Sequence, residues 1–149
     1  MANLLLFDTN ILVHLIREDL LGDHIRNTYT PFLTNPKPFI CVVSDGEIRS
    51  LALQWAWGKQ KLDQMHFLLG FFRRVPIEQT NVLQAYATID AYSESIGQPM
   101  GKNDVWIAAA TYITGARLIT TDKDFDHLQP SFIPRDWIDP EKFKPPKQA

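Results

Sequence analysis

Four apolar residues in a row, Leu4-Leu5-Leu6-Phe7, end abruptly on Asp8. A run without polar alternation marks a strand covered on both faces, the kind found inside a parallel sheet. Thr9 and Asn10 lead straight into Ile11-Leu12-Val13-His14-Leu15-Ile16-Arg17, which has helical character. An acid where a central strand gives way to a helix sits at the carboxyl edge of the sheet, where open α/β folds bind ligands. The rest of the chain is then constrained. Parallel strands need long crossovers, so further apolar runs should alternate with helices and end at that same edge.

The remaining residues follow this plan. Thr28 to Pro38, rich in Thr and Pro, reads as a loop or a broken helix, and nothing from Gly22 to Pro38 carries a motif. Phe39 to Val43 is a second buried strand. Ser44-Asp45-Gly46-Glu47 opens a helix that stops near Gly58, and Lys59 to Phe72 is a further helix. Arg73 to Ile77 is a short strand, placed near an edge by Pro76. Thr80 to Ile96 is a long amphipathic helix ended by Gly97. The alanine-rich helix starting at Asn103 closes at Gly115. Arg117 to Thr120 is the fourth strand, Thr121 to Asp126 a polar turn, and Ser131 to Pro134 a short fifth strand. Residues 1–139 form one domain, and the tail 140–149, with three lysines and three prolines, reads as mobile. The fold class is α/β with a parallel sheet.

Composition excludes several alternatives. With 45% hydrophobic and 21% charged residues, the chain is neither disordered nor fibrous. A net charge of -2 argues against indiscriminate polyanion binding. The single cysteine, Cys41, lies in an apolar run and reads as a small buried hydrophobe. No apolar stretch reaches the roughly 20 residues of a membrane span, and no secretory leader is evident, so a cytoplasmic protein is expected.

Four acids are directed to the sheet's carboxyl edge. Asp8 follows the first strand, Glu47 lies in the first turn after the second, Asp122 follows the fourth, and Asp104 opens the helix before the fourth. Four converging carboxylates repel one another unless a cation lies between them. All-oxygen ligation selects Mg²⁺ or Mn²⁺, ions that orient and deprotonate water and neutralise a phosphoryl group. Each acid also has a local explanation. Asp8 can cap the first helix. Ser44 and Glu47 match a capping box. Asp104 suits a helix dipole, and Asp122 an Asx-turn. The four histidines show no ligand spacing, which speaks against zinc.

In sequence order, Phe7-Asp8-Thr9-Asn10, Glu47 in a helix ending Ala56-Trp57-Gly58, Asn103-Asp104-Val105-Trp106-Ile107-Ala108-Ala109, and Thr120-Thr121-Asp122-Lys123-Asp124-Phe125 form a set. Any one segment is weak; the ordered set resembles PIN domains, and among them VapC-type toxins of toxin–antitoxin pairs, from Leu4 to about Ile133. The resemblance implies a five-stranded parallel sheet in the order 3-2-1-4-5 within an α/β/α sandwich. It also implies a metal-dependent endoribonuclease in which Asp8, Glu47, Asp104 and Asp122 hold Mg²⁺ or Mn²⁺. Asn10, Thr120 and Thr121 would then position substrate or the acids, with Asp126 as an outer acid. The implied substrate is structured RNA, tRNA or rRNA, and the implied partners are a cognate antitoxin and a second copy of the chain.

Arg49, Lys102 and Lys123 lie close in sequence to the acids and are candidates for phosphate contact. Two rival functions stay open on the sequence. One is another metal-dependent phosphoryl-transfer enzyme, although a haloacid-dehalogenase phosphatase wants a second aspartate where Asn10 stands. The other is a PIN-fold binding module without activity, a reading that a complete set of four acids disfavours.

Overall fold

The computed structural model describes residues 3–145. Five strands form one all-parallel sheet in the order β3-β2-β1-β4-β5: β1 Leu5–Phe7, β2 Phe39–Cys41, β3 Arg73–Val75, β4 Arg117–Thr120 and β5 Arg135–Trp137. Six helices connect them: α1 Thr9–Arg17, α2 Leu20–Tyr29, α3 Val42–Gln54, α4 Lys59–Phe71, α5 Thr80–Ser95 and α6 Lys102–Thr114. Among the described residues no helix is long and apolar enough to cross a membrane.

The strands sort their side chains by alternation, since successive residues face opposite sides of a sheet. Leu5, Phe7, Ile40 and Ile119 pack with α1 to α4 in one core, while Leu6, Cys41 and Leu118 pack with α5 and α6 in the other. This is why the run from Leu5 to Phe7 carries no polar residue: both faces are covered. The sheet order and the two helical layers agree with the arrangement that the resemblance implies.

Several elements differ from the sequence reading. Strand β2 ends at Cys41, and Val42 and Val43 begin α3, so packing overrides the strand preference of two valines. Ser44 is therefore inside the helix and no capping box forms. Helix α2 occupies part of the stretch read as featureless. Its N-cap is Asp19, whose Oδ1 accepts from the Gly22 amide at 2.9 Å. Strand β5 lies at Arg135–Trp137 rather than 131–134, because Phe132 and Ile133 turn into the α5–α6 core first. The tail read as mobile from Pro140 begins as a 3-10 turn, Pro140–Phe143, with Phe143 4.7 Å from the His24 ring; Pro146 to Ala149 lie outside the described residues.

Candidate metal centre and its acids

Asp8 sits where β1 ends, and its amide still donates to the Ile119 carbonyl of β4 at 3.0 Å. Its side chain is 3% exposed. Oδ1 accepts from the Thr9 amide at 2.8 Å and Oδ2 from the Thr120 hydroxyl at 2.7 Å. The Thr120 oxygen in turn accepts from the Asp122 amide at 2.9 Å. One hydroxyl at the end of β4 thus sets both the first acid and the backbone of the last. Burial pushes the Asp8 carboxyl up to about 6, against the pull of those two hydrogen bonds, and the Asp122 and Glu47 charges add to the rise.

Glu47 is placed by a pair of hydroxyls. Thr9 Oγ1 is 2.7 Å from Glu47 Oε1 and 2.8 Å from Ser44 Oγ. A carboxylate only accepts, so the Thr9 proton goes to Glu47 and Ser44 can donate to Thr9. Ser44 is fully buried and Thr9 nearly so. The serine expected to cap the helix instead braces Thr9, and through it the carboxylate.

Asp104, in the first turn of α6, is half-buried. Burial raises its carboxyl to about 7, and Asp8, Asp122, Asp124 and Glu47 all push it the same way. Asp122 is raised by burial as well. It forms the expected Asx-turn, its Oδ1 accepting from the Asp124 amide at 2.8 Å. The chain then winds through a 3-10 turn, Lys123–Leu128, anchored by buried Phe125 and Leu128 and by a 2.7 Å hydrogen bond between Ser93 and His127. That winding brings one oxygen each of Asp104, Asp122 and Asp124 within 4.8 Å of one another. Asp124 had little to recommend it in sequence, standing in a turn where solvated acids are common.

The local explanations and the shared one therefore coexist: Asp8 caps α1 and Asp122 makes its turn, and the carboxylates keep lone pairs free for a cation. An all-carboxylate set, several of its members raised by burial and further by one another's charge, fits a hard divalent cation such as Mg²⁺ or Mn²⁺.

Other candidates are placed differently. Arg49, two residues beyond Glu47, lies about 200° round the helix and pairs with Asp45, which also binds Arg74. It is not brought to the side of Glu47. Asp126 pairs with Arg135 at 2.7 Å, outside the cluster. Lys102 reaches Asp90 at 3.2 Å, and Lys123 lies over the Trp137 ring at 4.6 Å. Asn10 is exposed in the first turn of α1, and the Thr121 carbonyl accepts from Trp137 Nε1 at 3.0 Å.

The PIN domain family model matches residues 5–129. The chain belongs to the PIN domain family. No curated protein matches it in sequence. Among solved structures, this PIN domain superposes on a chain of VapBC2 from Rickettsia felis, a complex bound to a DNA fragment from its promoter. The TM-score is 0.72 at 17% identity, covering 89% of this chain and 97% of that one. VapBC-1 from nontypeable Haemophilus influenzae gives 0.72 at 20% identity, covering 90% and 97%. FitAcB from Neisseria gonorrhoeae gives 0.70 at 20% identity, covering 89% and 96%. At these identities the likeness is one of fold.

Proposed function

We propose that this PIN domain is a Mg²⁺- or Mn²⁺-dependent endoribonuclease of the VapC type, the toxin of a toxin–antitoxin pair, acting on structured RNA such as tRNA or rRNA. The observation that carries the proposal is the convergence of Asp8, Glu47, Asp104, Asp122 and Asp124 at one sheet edge. The family supports the nuclease reading, and fold neighbours that are toxin–antitoxin complexes support the toxin reading and an antitoxin partner. Assembly as a homodimer belongs to the same proposal.

In this reading Asp104, Asp122 and Asp124 hold the ion, with Asp8 and Glu47 completing the site. Thr120 fixes the buried Asp8 and Thr9 the half-buried Glu47, so that little reorganisation is needed when the ion and the phosphodiester arrive. Asn10 and Thr121 are assigned to positioning the substrate in this reading. The bound ion supplies positive charge at the phosphate and an activated water at neutral pH.

The test compares wild type with Asp8→Asn on total RNA, with Mg²⁺ or Mn²⁺ and with EDTA. Discrete cuts that need the ion and fall at least ~100-fold in the variant are expected, this being the scale at which one electrostatic group acts. Cutting that survives both EDTA and Asp8→Asn overturns the mechanism, and a folded protein that neither cuts nor binds Mn²⁺ points to a binding module.

A further inference from the structure

A groove of about 510 Å³ opens beside Glu47. One wall is a face of α3 carrying Val43, Glu47, Ser50, Leu51 and Gln54; the other is Asn103, the residue before Asp104. The groove is thus continuous with the acidic cluster at both Glu47 and the start of α6.

Its lining selects the kind of group it takes. Among the described residues no cation lines it, and Glu47 gives it negative character, so neither a phosphate nor an acidic peptide is its natural occupant. Its other polar groups are neutral: the Ser50 hydroxyl and the amides of Gln54 and Asn103. A side-chain amide offers a donor and an acceptor side by side, the pattern that reads the edge of a nucleobase. Val43 and Leu51 offer an apolar wall to a ring face. Gln54 is also held in place, because its Nε2 donates to Ser50 Oγ at 2.9 Å one turn earlier. That bond leaves the amide oxygen and a second N–H for a ligand. Gln54 stands seven residues beyond Glu47, about 10 Å along the helix, so the groove lies within reach of a nucleotide flanking a phosphate held at the acids.

We propose that this groove receives an unpaired nucleobase flanking the scissile phosphate, and that Gln54 and Asn103, with Ser50 holding Gln54, set the base preference at that position. Single-stranded RNA is commonly read in this way, by edge hydrogen bonds and contact with the ring face. The inference rests on the ribonuclease reading above.

The experiment is cleavage, with Mn²⁺, of a structured stem-loop RNA pool randomised over its unpaired loop, followed by sequencing of the ends. Wild type, Gln54→Ala, Asn103→Ala, Ser50→Ala and the remote control Gln60→Ala are compared. Wild type and Gln60→Ala should prefer a base at one position beside the cut. Gln54→Ala and Asn103→Ala should weaken that preference about tenfold, the scale of one good edge contact, by slowing cleavage beside the preferred base while cleavage beside the other bases stays close to wild type. Ser50→Ala should relax the same position to a smaller degree. An unchanged profile in all three variants, or a uniform loss of rate, overturns the base pocket and leaves the nuclease reading standing; the groove is then a better candidate for a cationic group of a protein partner. Absence of cutting by wild type overturns both.

Discussion

Asp104 is held at about 7 and Asp8 at about 6, against 3.8 for an ordinary aspartate. Groups raised in this way bind protons more readily folded than unfolded. Their contribution to stability is fully present below about pH 4 and is lost as pH rises through about 6 to 7. A divalent cation reverses that loss by compensating the charge. Asp104→Asn, which removes one charge and keeps the shape, should therefore stabilise the ion-free protein at pH 7. After allowance for solvent screening the gain is about 1–2 kcal/mol, or a few degrees in Tm. The same variant should lose most of the Tm increase that Mn²⁺ produces in wild type. Calorimetry at pH 5 and pH 7, with EDTA and with Mn²⁺, checks this; identical behaviour of the two proteins would refute it. Thr9 offers a second test at this scale. Thr9→Val keeps the volume but removes the hydroxyl that donates to Glu47 and accepts from buried Ser44. The expected result is a loss of about 1–3 kcal/mol in stability and about tenfold in cleavage, with Thr9→Ser close to wild type in both. Neither Thr9 nor Asp124 stood out in the sequence. A hydroxyl that reaches across 38 positions leaves no local pattern, and Asp124 joins the cluster only through the 3-10 winding of its turn.

At the scale of elements, β1, β4 and α6 were legible because Leu5–Phe7, Leu118–Thr120 and Ile107–Thr111 are buried throughout, so burial writes an unbroken apolar or alanine-rich run. Strand β5 was not, because it lies at the sheet edge with all three residues half-buried and no period to read. Helix α2 was missed although Asp19, Leu21 and Ile25 form a fair capped amphipathic start; the glycine at 22 and the threonines beyond obscured it. That glycine has a reason. A Cβ there would lie 2.3 Å from the His14 carbonyl oxygen, so α1 and α2 pack this closely only without a side chain at that position. Gly70, in α4, has nothing within 4 Å of the corresponding point. The two positions should respond oppositely to alanine. Gly22→Ala should destabilise by about 1–3 kcal/mol through overpacking. Gly70→Ala should stabilise by roughly 0.5–1 kcal/mol, from helix propensity alone. Urea denaturation of both variants decides it, and equal shifts of the same sign would contradict the close helix contact.

The whole molecule sets a harder problem, because a chain of net charge -2 gathers its acids at the edge proposed to receive a polyanion. The cations that sequence proximity suggested for phosphate contact do not resolve it. Arg49 is paired with Asp45 and Lys102 with Asp90, and Lys123 covers Trp137. Without a divalent ion, the field at the sheet edge repels a phosphodiester. With one, the local charge falls sharply and the edge becomes the attractive part of the surface. This predicts an unusual ionic response. For a protein that holds RNA through lysine and arginine, added Mg²⁺ competes for the phosphates and affinity falls steadily. Here affinity for a non-hydrolysable RNA analogue should first rise with Mg²⁺ at constant ionic strength, then level off as the site fills, and fall only at higher concentration. Fluorescence anisotropy measures it. Asp104→Asn and Asp122→Asn, with fewer charges to hold the ion, should flatten the rise. A steady fall from the first addition, alike in wild type and variants, would mean that RNA is held somewhere other than the acidic edge.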